Sequence, residues 1–293
     1  MQHEQASRTA LLIAASLVLL RHDAKYSRLV SGTSADFCAH VLEKHSSHTR
    51  LLLKIVQQTW FRPIAKLVER MTIPGILLHY ALRKKCISEL TRSALADRVV
   101  QVVILGAGFD PLSSELQRDF STARFWEIDH PATQRDKVRA CSEMGIDRVH
   151  FVALDLSAPG FDPEALIGCG FDSAKPTFWI AEGLLMYFSA DVVSSLIRML
   201  SGLSAPGSQL ASTFMEKQRD GHIRFDSQTK LVTWWLRTRG EPFLWGTARN
   251  ELAAFVRPWR VIRFFDHRDL RGLDSELADK TIAKGEVICL AEI

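Results

Sequence analysis

Apolar residues are distributed differently in the two parts of this chain. Residues 1–97 contain few glycines and prolines and predict several helices. Their most apolar stretch, 10–20, is too short to span a bilayer and predicts a buried helix. From residue 98 onward, short β-rich apolar runs alternate with helical segments. The runs lie at 99–105, 123–128, 149–154, 176–182, 207–215, 259–265 and 286–293. This alternation predicts an α/β fold with a mostly parallel sheet covered on both faces.

Capping residues predict where several of the helices begin. Asp110 can cap a helix whose first position is Pro111, where the missing N–H costs nothing. The same pair recurs at Asp162 and Pro163. Ser189 precedes a segment whose apolar residues recur at helical spacing. Each of these helices is therefore expected to start directly after a strand or loop.

The interval 216–258 is the least regular part of the second region. It holds three of the seven tryptophans, Trp234, Trp235 and Trp245. A connection of this length is usually elaborated for a reason. A cap over a substrate and a packing subdomain are both compatible with the aromatic cluster.

Composition narrows the class of protein. The 293 residues are 47% hydrophobic and 24% charged, which is ordinary for a globular protein. The net charge of +4 is only mildly basic, and the sequence lacks the concentrated Lys/Arg patches that are typical of nucleic-acid binders. The five cysteines form no C-x-x-C pair, which argues against a disulfide framework or a zinc site and favours a reducing cytoplasm. His40, His45 and His48 lack a clear fourth ligand, so a solvated helix face is expected there. We expect no metal, nucleic-acid partner or membrane partner.

The end of the first strand carries a glycine turn. Gly106 and Gly108 form a Gly-x-Gly, but Pro111 stands where a dinucleotide fingerprint has its third glycine, which disfavours a diphosphate cradle. About 20 residues further on, the second strand ends with Glu127 and Asp129. An acid at this point commonly binds ribose hydroxyls, and Asp129 is nearer the tip. Capping of the following helix is the alternative function of Asp129.

The next two strands also end in acidic residues. Asp155 and Leu156 follow the third strand, where an acid can reach an adenine amino group and a leucine can pack on the ring. Glu182 leaves the apolar fourth strand directly into Gly183. A carboxylate there requires a partner, either a ligand or a structural salt bridge. Parallel strands bring these ends to one edge, where ligands bind in such sheets.

The chain contains four motifs in order: "VVILGAGFDPL", "FWEIDHPATQRDKV", "ALDL" and "FWIAEGLLMYFS". Together they resemble the leucine carboxyl methyltransferase family, and most closely its bacterial small-molecule branch. The resemblance runs from about 79 to 215, with a fainter echo at 239–265. It implies a Rossmann-like class I methyltransferase fold that binds S-adenosylmethionine. The implied sheet has seven strands, of which the last is antiparallel. The implied domains are an N-terminal helical cap (1–97) and a methyltransferase domain (98–293) with an insertion at about 216–258.

The resemblance also implies positions for the nucleoside of the cofactor. Gly106 would approach its methionine part, and Gly108 belongs to the same turn. Asp129 would hold the ribose. Asp155 and Leu156 would lie on the adenine side. The glycine turn then holds a nucleoside without phosphates, which accounts for the absence of a third glycine.

The remaining cofactor positions concern its methionine end. The resemblance implies that Glu182 lines this end of the pocket. The family has an arginine before the glycine turn that binds the carboxylate of the cofactor, and Arg83 stands at the matching place. Lys84 and Lys85 compete for that assignment, and an exposed basic helix face is the alternative. Pro111 replaces the usual threonine of the family, so a side-chain contact is not expected there.

The expected reaction is methyl transfer to an oxygen of a small organic molecule. Displacement at a sulfonium requires placement of the acceptor and no nucleophilic side chain. A carboxylate acceptor is expected first, with a phenol or alcohol as the alternative, for which His222 is the candidate base. Met186 and Tyr187 are candidates for substrate contact, and both could equally serve packing. A nicotinamide-dependent dehydrogenase fits less well because of Pro111.

Overall fold

The predicted sheet is present in a computed structural model of the chain, which describes residues 7–157, 163–238 and 240–293. The strands are β1 (Gln101–Leu105), β2 (Arg124–Asp129), β3 (Val149–Ala153), β4 (Thr177–Ala181), β5 (Gln209–Met215), β6 (Arg260–Phe265) and β7 (Glu286–Glu292). They lie in the order β3-β2-β1-β4-β5-β7-β6. Among the described residues, β7 runs antiparallel to both of its neighbours, β5 and β6, and the other four strand pairs are parallel. The predicted α/β class and the antiparallel last strand are confirmed.

Helices precede the sheet and connect its strands. They are α1 (Arg8–His22), α2 (Gly32–His45), α3 (Ser47–Val56), α4 (Phe61–Thr72), α5 (Ile76–Asp97), α6 (Leu112–Asp119), α7 (Pro131–Glu143), α8 (Pro163–Gly168), α9 (Ala190–Gly202), α10 (Lys230–Thr238), α11 (Arg249–Phe255) and α12 (His267–Gly272). The apolar stretch 10–20 lies within α1, where most of its large side chains are buried. In the described ranges, no helix combines the length and apolar character that crossing a membrane requires.

The apolar strand runs are explained by burial on both faces of the sheet. Val102 and Ile104 of β1 pack into a cluster with α1, α2 and α5, whereas Val103 and Leu105 pack into a second cluster with α9. Because both faces are covered, alternating side chains of a strand are all apolar. The helices of the N-terminal region thus share one hydrophobic cluster with the sheet.

Two of the three predicted helix starts can be compared with the structure. Ser189 caps α9 by accepting a hydrogen bond from the backbone N–H of Val192. Asp110 accepts one from the N–H of Leu112 at 3.1 Å. However, α6 begins at Leu112, so Pro111 is the residue before the helix and not, as predicted, its first residue. Asp162, the third predicted cap, lies outside the described residues.

Candidate active site

A cavity of about 410 Å³ lies at the carboxyl ends of the first four strands. All seven residues expected to contact a cofactor line it: Arg83, Gly106, Gly108, Asp129, Asp155, Leu156 and Glu182. They come from helix α5 and from the segments that follow β1, β2, β3 and β4. The volume is within the range of pockets that hold small ligands and cofactors. The structure therefore brings these residues, which span a hundred positions in sequence, into one wall.

The turn after β1 requires glycine for steric reasons. Gly106 and Gly108 have φ values of +60° and +50°, in the left-handed region that glycine adopts most readily. A Cβ atom on Gly106 would lie 2.6 Å from a methyl carbon of Leu184, and one on Gly108 would lie 3.3 Å from the Cβ of Ala10. The turn thus lies closely between α1 and the segment after β4.

Asp129 faces the cavity from the end of β2. Its two carboxylate oxygens accept hydrogen bonds from the backbone N–H groups of Gly108, at 2.5 Å, and His130, at 2.6 Å. Burial raises the pKa of Asp129, and these two hydrogen bonds counteract part of that shift. The cap of α7 is His130, whose ring nitrogen accepts from the N–H of Ala132, so capping by Asp129 is not observed. Asp129 instead fixes the glycine turn and keeps further acceptor capacity toward the cavity.

Glu127, two residues earlier on the same strand, has a different environment. Its carboxylate is 2.5 Å from the ammonium of Lys137, and both side chains are only 2% exposed. The same ammonium donates to the backbone carbonyl of Asp110 at 2.6 Å. Desolvation raises the pKa of Glu127, which Lys137 counteracts. Glu127 and Lys137 are not among the described residues that line the cavity, and they support the turn from behind.

Arg83 lies in a buried charge network. Its Nη1 donates to both oxygens of Glu286, at 2.9 and 2.8 Å, and its Nε donates to Glu182 at 2.8 Å. Although burial opposes it, the Arg83 charge holds the pKa of Glu286 well below its usual range, at about 2. Sequence analysis missed Glu286, whose signal was an acid opening the apolar run of the last strand. Arg83, which the resemblance assigns to the carboxylate of the cofactor, thus lines the cavity and also binds two carboxylates of the protein.

The neighbouring lysines differ from each other. Lys84 lines the cavity, and its ammonium lies 2.8 Å from Asp110 and 3.4 Å from Glu182. Lys85 donates to the carbonyl of Leu273 at 3.0 Å and does not belong to the described lining. The segment is therefore not a uniformly solvated basic face. The basic side chains that line the cavity from α5, Arg83 and Lys84, already form ion pairs with acidic residues of the protein.

The carboxylate of Glu182 in this network has one oxygen without a protein partner in the part of the chain that the structure describes. The Oε2 atom of Glu182 is buried and, among the described residues, accepts no hydrogen bond. A buried carboxylate oxygen without a donor is costly, so a ligand that supplies one would be favoured. Gly183 follows with φ +61°, and its N–H donates to Thr213 at 2.8 Å, which fixes the direction in which the chain leaves β4.

The third strand contributes a more solvated acid. Asp155 accepts hydrogen bonds from the N–H and hydroxyl of Ser157 at 2.9 and 2.6 Å. Although partial burial raises it, these bonds leave the pKa of Asp155 below its usual range. Leu156 beside it is buried. An acceptor next to an apolar surface suits the edge and the face of a purine.

Further lining residues come from the start of α1, from the segment after β4 and from the segment after α10. Tyr187 lies here and packs against Phe243, with ring centroids 5.7 Å apart. Glu241 is only 9% exposed and accepts hydrogen bonds from the hydroxyls of Ser7 and Thr9. Burial raises the pKa of the Tyr187 phenol. Sequence analysis missed Glu241, whose signal was an acid between glycine and proline inside an aromatic-rich segment.

Two other candidates are not brought to the cavity by the structure. Met186 packs beside Met215 and Phe225, and its carbonyl accepts from the N–H groups of two residues of the aromatic segment. His222 lies on an exposed turn, where its N–H donates to Asp220 at 3.0 Å. Neither is found among the described lining residues. Their proposed contacts with substrate have no geometric support.

Two of the three histidines considered as metal ligands have acidic partners. His40 lies 2.8 Å from Glu143, and His45 lies 2.8 Å from Asp136. Within the ranges that the structure describes, no three His, Cys, Asp or Glu side chains are grouped so that they could hold a metal ion. These histidines join α2 to α7 at the surface.

Comparison with known proteins identifies the family. The family model for leucine carboxyl methyltransferase matches residues 6–201. A Mycobacterium bovis protein named "Putative S-adenosyl-L-methionine-dependent methyltransferase" is 40% identical over 221 residues, which cover 70% of this chain and 68% of that one. A Mycolicibacterium smegmatis protein with a similar name is 37% identical over 55% of this chain, and the match spans about half, 52%, of that relative.

Solved structures share the fold at low sequence identity. A "putative methyltransferase" from Thermobifida fusca has a TM-score of 0.57 at 16% identity, covering 87% of this chain and 93% of its own. An O-methyltransferase family protein from Burkholderia thailandensis has a TM-score of 0.50 at 16% identity, covering 92% and 76%. The fold, the cavity and the sequence relatives together assign the chain to the class of S-adenosylmethionine-dependent methyltransferases, which have a Rossmann-like sheet. Within this class, the chain belongs to the leucine carboxyl methyltransferase family.

Proposed function

We propose that the protein transfers the methyl group of S-adenosylmethionine to a carboxylate oxygen of a small organic molecule. The observation that carries the proposal is the lining of a single cavity, which combines acids and glycines at the strand ends with residues of α1 and of the segment around Glu241. We assign the strand ends, the first wall, to the cofactor, and α1 with the segment around Glu241, the acceptor wall, to the acceptor. A cofactor and an acceptor can therefore lie side by side, as direct transfer requires.

The residues of the first wall suit the parts of this cofactor. We assign Asp129 to the ribose, and Asp155 with Leu156 to the adenine. The oxygen of Glu182 that lacks a donor suits the cationic methionine end, and Gly106 lies in the same lining. The cofactor, when bound, supplies an electrophilic methyl group on a positively charged sulfur. The protein contributes acceptors for its hydroxyls and amino groups and excludes water around it.

The acceptor side needs only to orient a carboxylate. A carboxylic acid with a pKa of about 4 is ionised at neutral pH, so no base is required. The hydroxyl group of Tyr187 is a donor on the acceptor wall that can bind one carboxylate oxygen and present the other, whereas the hydroxyls of Ser7 and Thr9 already donate to Glu241. Under this proposal, the N-terminal helices 7–97 act as the cap, and the 216–258 insertion completes the acceptor wall.

A second candidate, methylation of a phenol or alcohol, is favoured by Glu241. This carboxylate is buried on the acceptor wall, where it would repel a substrate carboxylate but could accept a proton from a hydroxyl. The role considered for His222 would then belong to Glu241. The two candidates predict opposite effects of the same substitution.

The test begins with isotope-labelled cofactor and a small-molecule extract, and the labelled product is identified by mass spectrometry. A methyl ester is released by mild alkali, whereas a methyl ether is stable to it. Glu241→Gln keeps the shape of the side chain and removes its charge. For a carboxylate acceptor, kcat should change little and KM should fall. An alkali-stable product and a loss of about 10²–10⁴ in kcat would replace the carboxylate proposal with the hydroxyl one.

His222→Ala serves as the matched control in the same assay. Because His222 lies on an exposed turn, we expect turnover to remain close to that of the wild type with either acceptor. A hundredfold loss in this variant would contradict the geometry of the cavity described above.

A further inference from the structure

A second cavity, of about 610 Å³, lies at the C-terminal end of α1. Its wall is formed by the end of α1, by one side of α4, by the start of α5 and by the loop at 280–281. It shares no lining residue with the first cavity. The proposed binding of S-adenosylmethionine in the first cavity therefore does not account for the second one.

Cationic side chains predominate in the lining of the second cavity. Arg62, Lys66 and Arg70 enter from α4, and Lys280 enters from the loop before β7. Their spacing along α4, four residues apart, places the three on one side of the helix. The lining carboxylates are Asp23 and Glu69.

Both carboxylates are already engaged within the protein. Asp23 accepts from the ammonium of Lys66 and from the backbone N–H of Lys25, each at 3.0 Å. Glu69 accepts from the backbone N–H of Leu77 at 3.0 Å. In the described part of the chain, Arg62, Arg70 and Lys280 have no carboxylate within ion-pair distance. The cavity therefore carries uncompensated positive charge.

Two further observations show that the cations are crowded and incompletely satisfied. The Nε of Arg62 is buried and has no hydrogen-bond acceptor among the described residues. Lys25 stands beside Lys280 at the rim, and repulsion from Lys280 and Lys66 lowers the pKa of Lys25. Like charges held together with a buried unpaired donor are unfavourable without an anion. A bound anion would relieve both costs.

The rest of the lining indicates what accompanies the anionic group. Leu19, Leu20, Leu77 and Leu78 form an apolar floor, and Tyr26 lies at one side. A phosphate monoester carries about −1.5 to −2 charges at neutral pH and presents three oxygens, which suits cations that converge from two segments. A carboxylate carries one charge and two oxygens, so it would neutralise less of this positive charge than a phosphate would.

We propose that this second cavity is a binding site for a small organic phosphate, whose phosphate contacts Arg62, Arg70 and Lys280 and whose apolar body lies on the leucine floor. The site is independent of the methyl-transfer reaction and of the acceptor chosen above. It also gives a function to the basic side of α4.

The test uses phenyl phosphate as the probe, titrated calorimetrically at constant ionic strength into protein saturated with S-adenosylhomocysteine. We expect one site with a Kd below about 1 mM. Inorganic phosphate, which lacks the apolar body, and benzoate, which has the ring but a single carboxylate, should each bind at least tenfold more weakly. Arg62→Gln and Lys280→Gln should each weaken phenyl phosphate binding at least tenfold. Arg98→Gln, which removes an 83% exposed charge elsewhere, should not.

Each variant is first shown to bind S-adenosylhomocysteine as the wild type does, which establishes that it is folded. Lys280→Gln lies in a loop and provides the test if Arg62→Gln does not fold. No binding of phenyl phosphate, or binding that both variants leave unchanged, would overturn the site. Equal binding of benzoate would overturn the assignment to a phosphate. Equal binding of inorganic phosphate would overturn the role of the leucine floor.

Discussion

Two acids on one strand provide a direct test of how the site is built. Asp129 and Glu127 lie two residues apart on β2 and point to the same side. Asp129 faces the cavity and binds the glycine turn, whereas Glu127 binds the buried ammonium of Lys137. We therefore expect Asp129→Asn mainly to impair cofactor binding and Glu127→Gln mainly to impair stability.

The magnitudes follow from the contacts. In Asp129→Asn, one of the two backbone N–H groups now bonded at 2.5 and 2.6 Å loses its acceptor. Under the proposed assignment, a ribose hydroxyl also loses a charged acceptor, which costs about 1.5–3 kcal/mol, or roughly 10- to 150-fold in Kd. Glu127→Gln leaves Lys137 buried without a counter-charge, and breaking such a pair costs about 3–5 kcal/mol of unfolding free energy.

The assay pairs two measurements on each variant. Urea denaturation gives the free energy of unfolding, and calorimetric titration with S-adenosylhomocysteine gives Kd under conditions where the variant is folded. Asp129→Asn should show the larger change in Kd, and Glu127→Gln should show the larger loss of stability, with Kd within about threefold of the wild type. If folded Glu127→Gln bound the ligand as weakly as Asp129→Asn, our assignment along β2 would be refuted.

Three more predictions concern the same network. Gly106→Ala should weaken S-adenosylhomocysteine binding at least tenfold, whereas Gly145→Ala, also at positive φ but with open space around it, should cost only about 1–2 kcal/mol of stability and leave titrated affinity unchanged. Arg83→Met should lower both the thermal midpoint and the affinity for S-adenosylhomocysteine, because it leaves two buried carboxylates without this counter-charge. Lys85→Met should alter neither. Glu286 has its folded pKa near 2, below an ordinary 4.5, so its stabilising effect is present above pH 4.5 and is lost as pH falls toward 2. Acid denaturation of Glu286→Gln should therefore depend less on pH in that window than the wild type does, and an identical slope would count against the ion pair.

The sheet and one wall of the site were predictable because their signals are local. Each strand was marked by a near-continuous apolar run, since both faces of the sheet are covered. Asp129, Asp155 and Glu182 were identified because each directly follows such a run, and parallel strands bring their ends to one edge. Topology alone then placed side chains from distant parts of the sequence together.

The pairings within the site were not predictable because they depend on contacts between distant segments. Glu286 reaches Arg83 only because β7 inserts antiparallel between β5 and β6, which starts that strand at the carboxyl edge of the others. Glu241 reaches the cavity through hydroxyls at the start of α1, more than 200 residues away in sequence. His222 follows β5, but hydrogen bonds within its own turn keep it at the surface.

The central claim, that this cavity binds a phosphate-free nucleoside cofactor for methyl transfer, is tested most directly by titrating the protein with S-adenosylhomocysteine and with NAD. Saturable binding of S-adenosylhomocysteine is expected, with about 2.7 kcal/mol of stabilisation at a hundredfold excess over Kd. NAD should neither bind nor raise the thermal midpoint, because the turn at Gly106 and Gly108 lacks the third glycine that a diphosphate requires. Binding of NAD together with no response to S-adenosylhomocysteine would contradict the account.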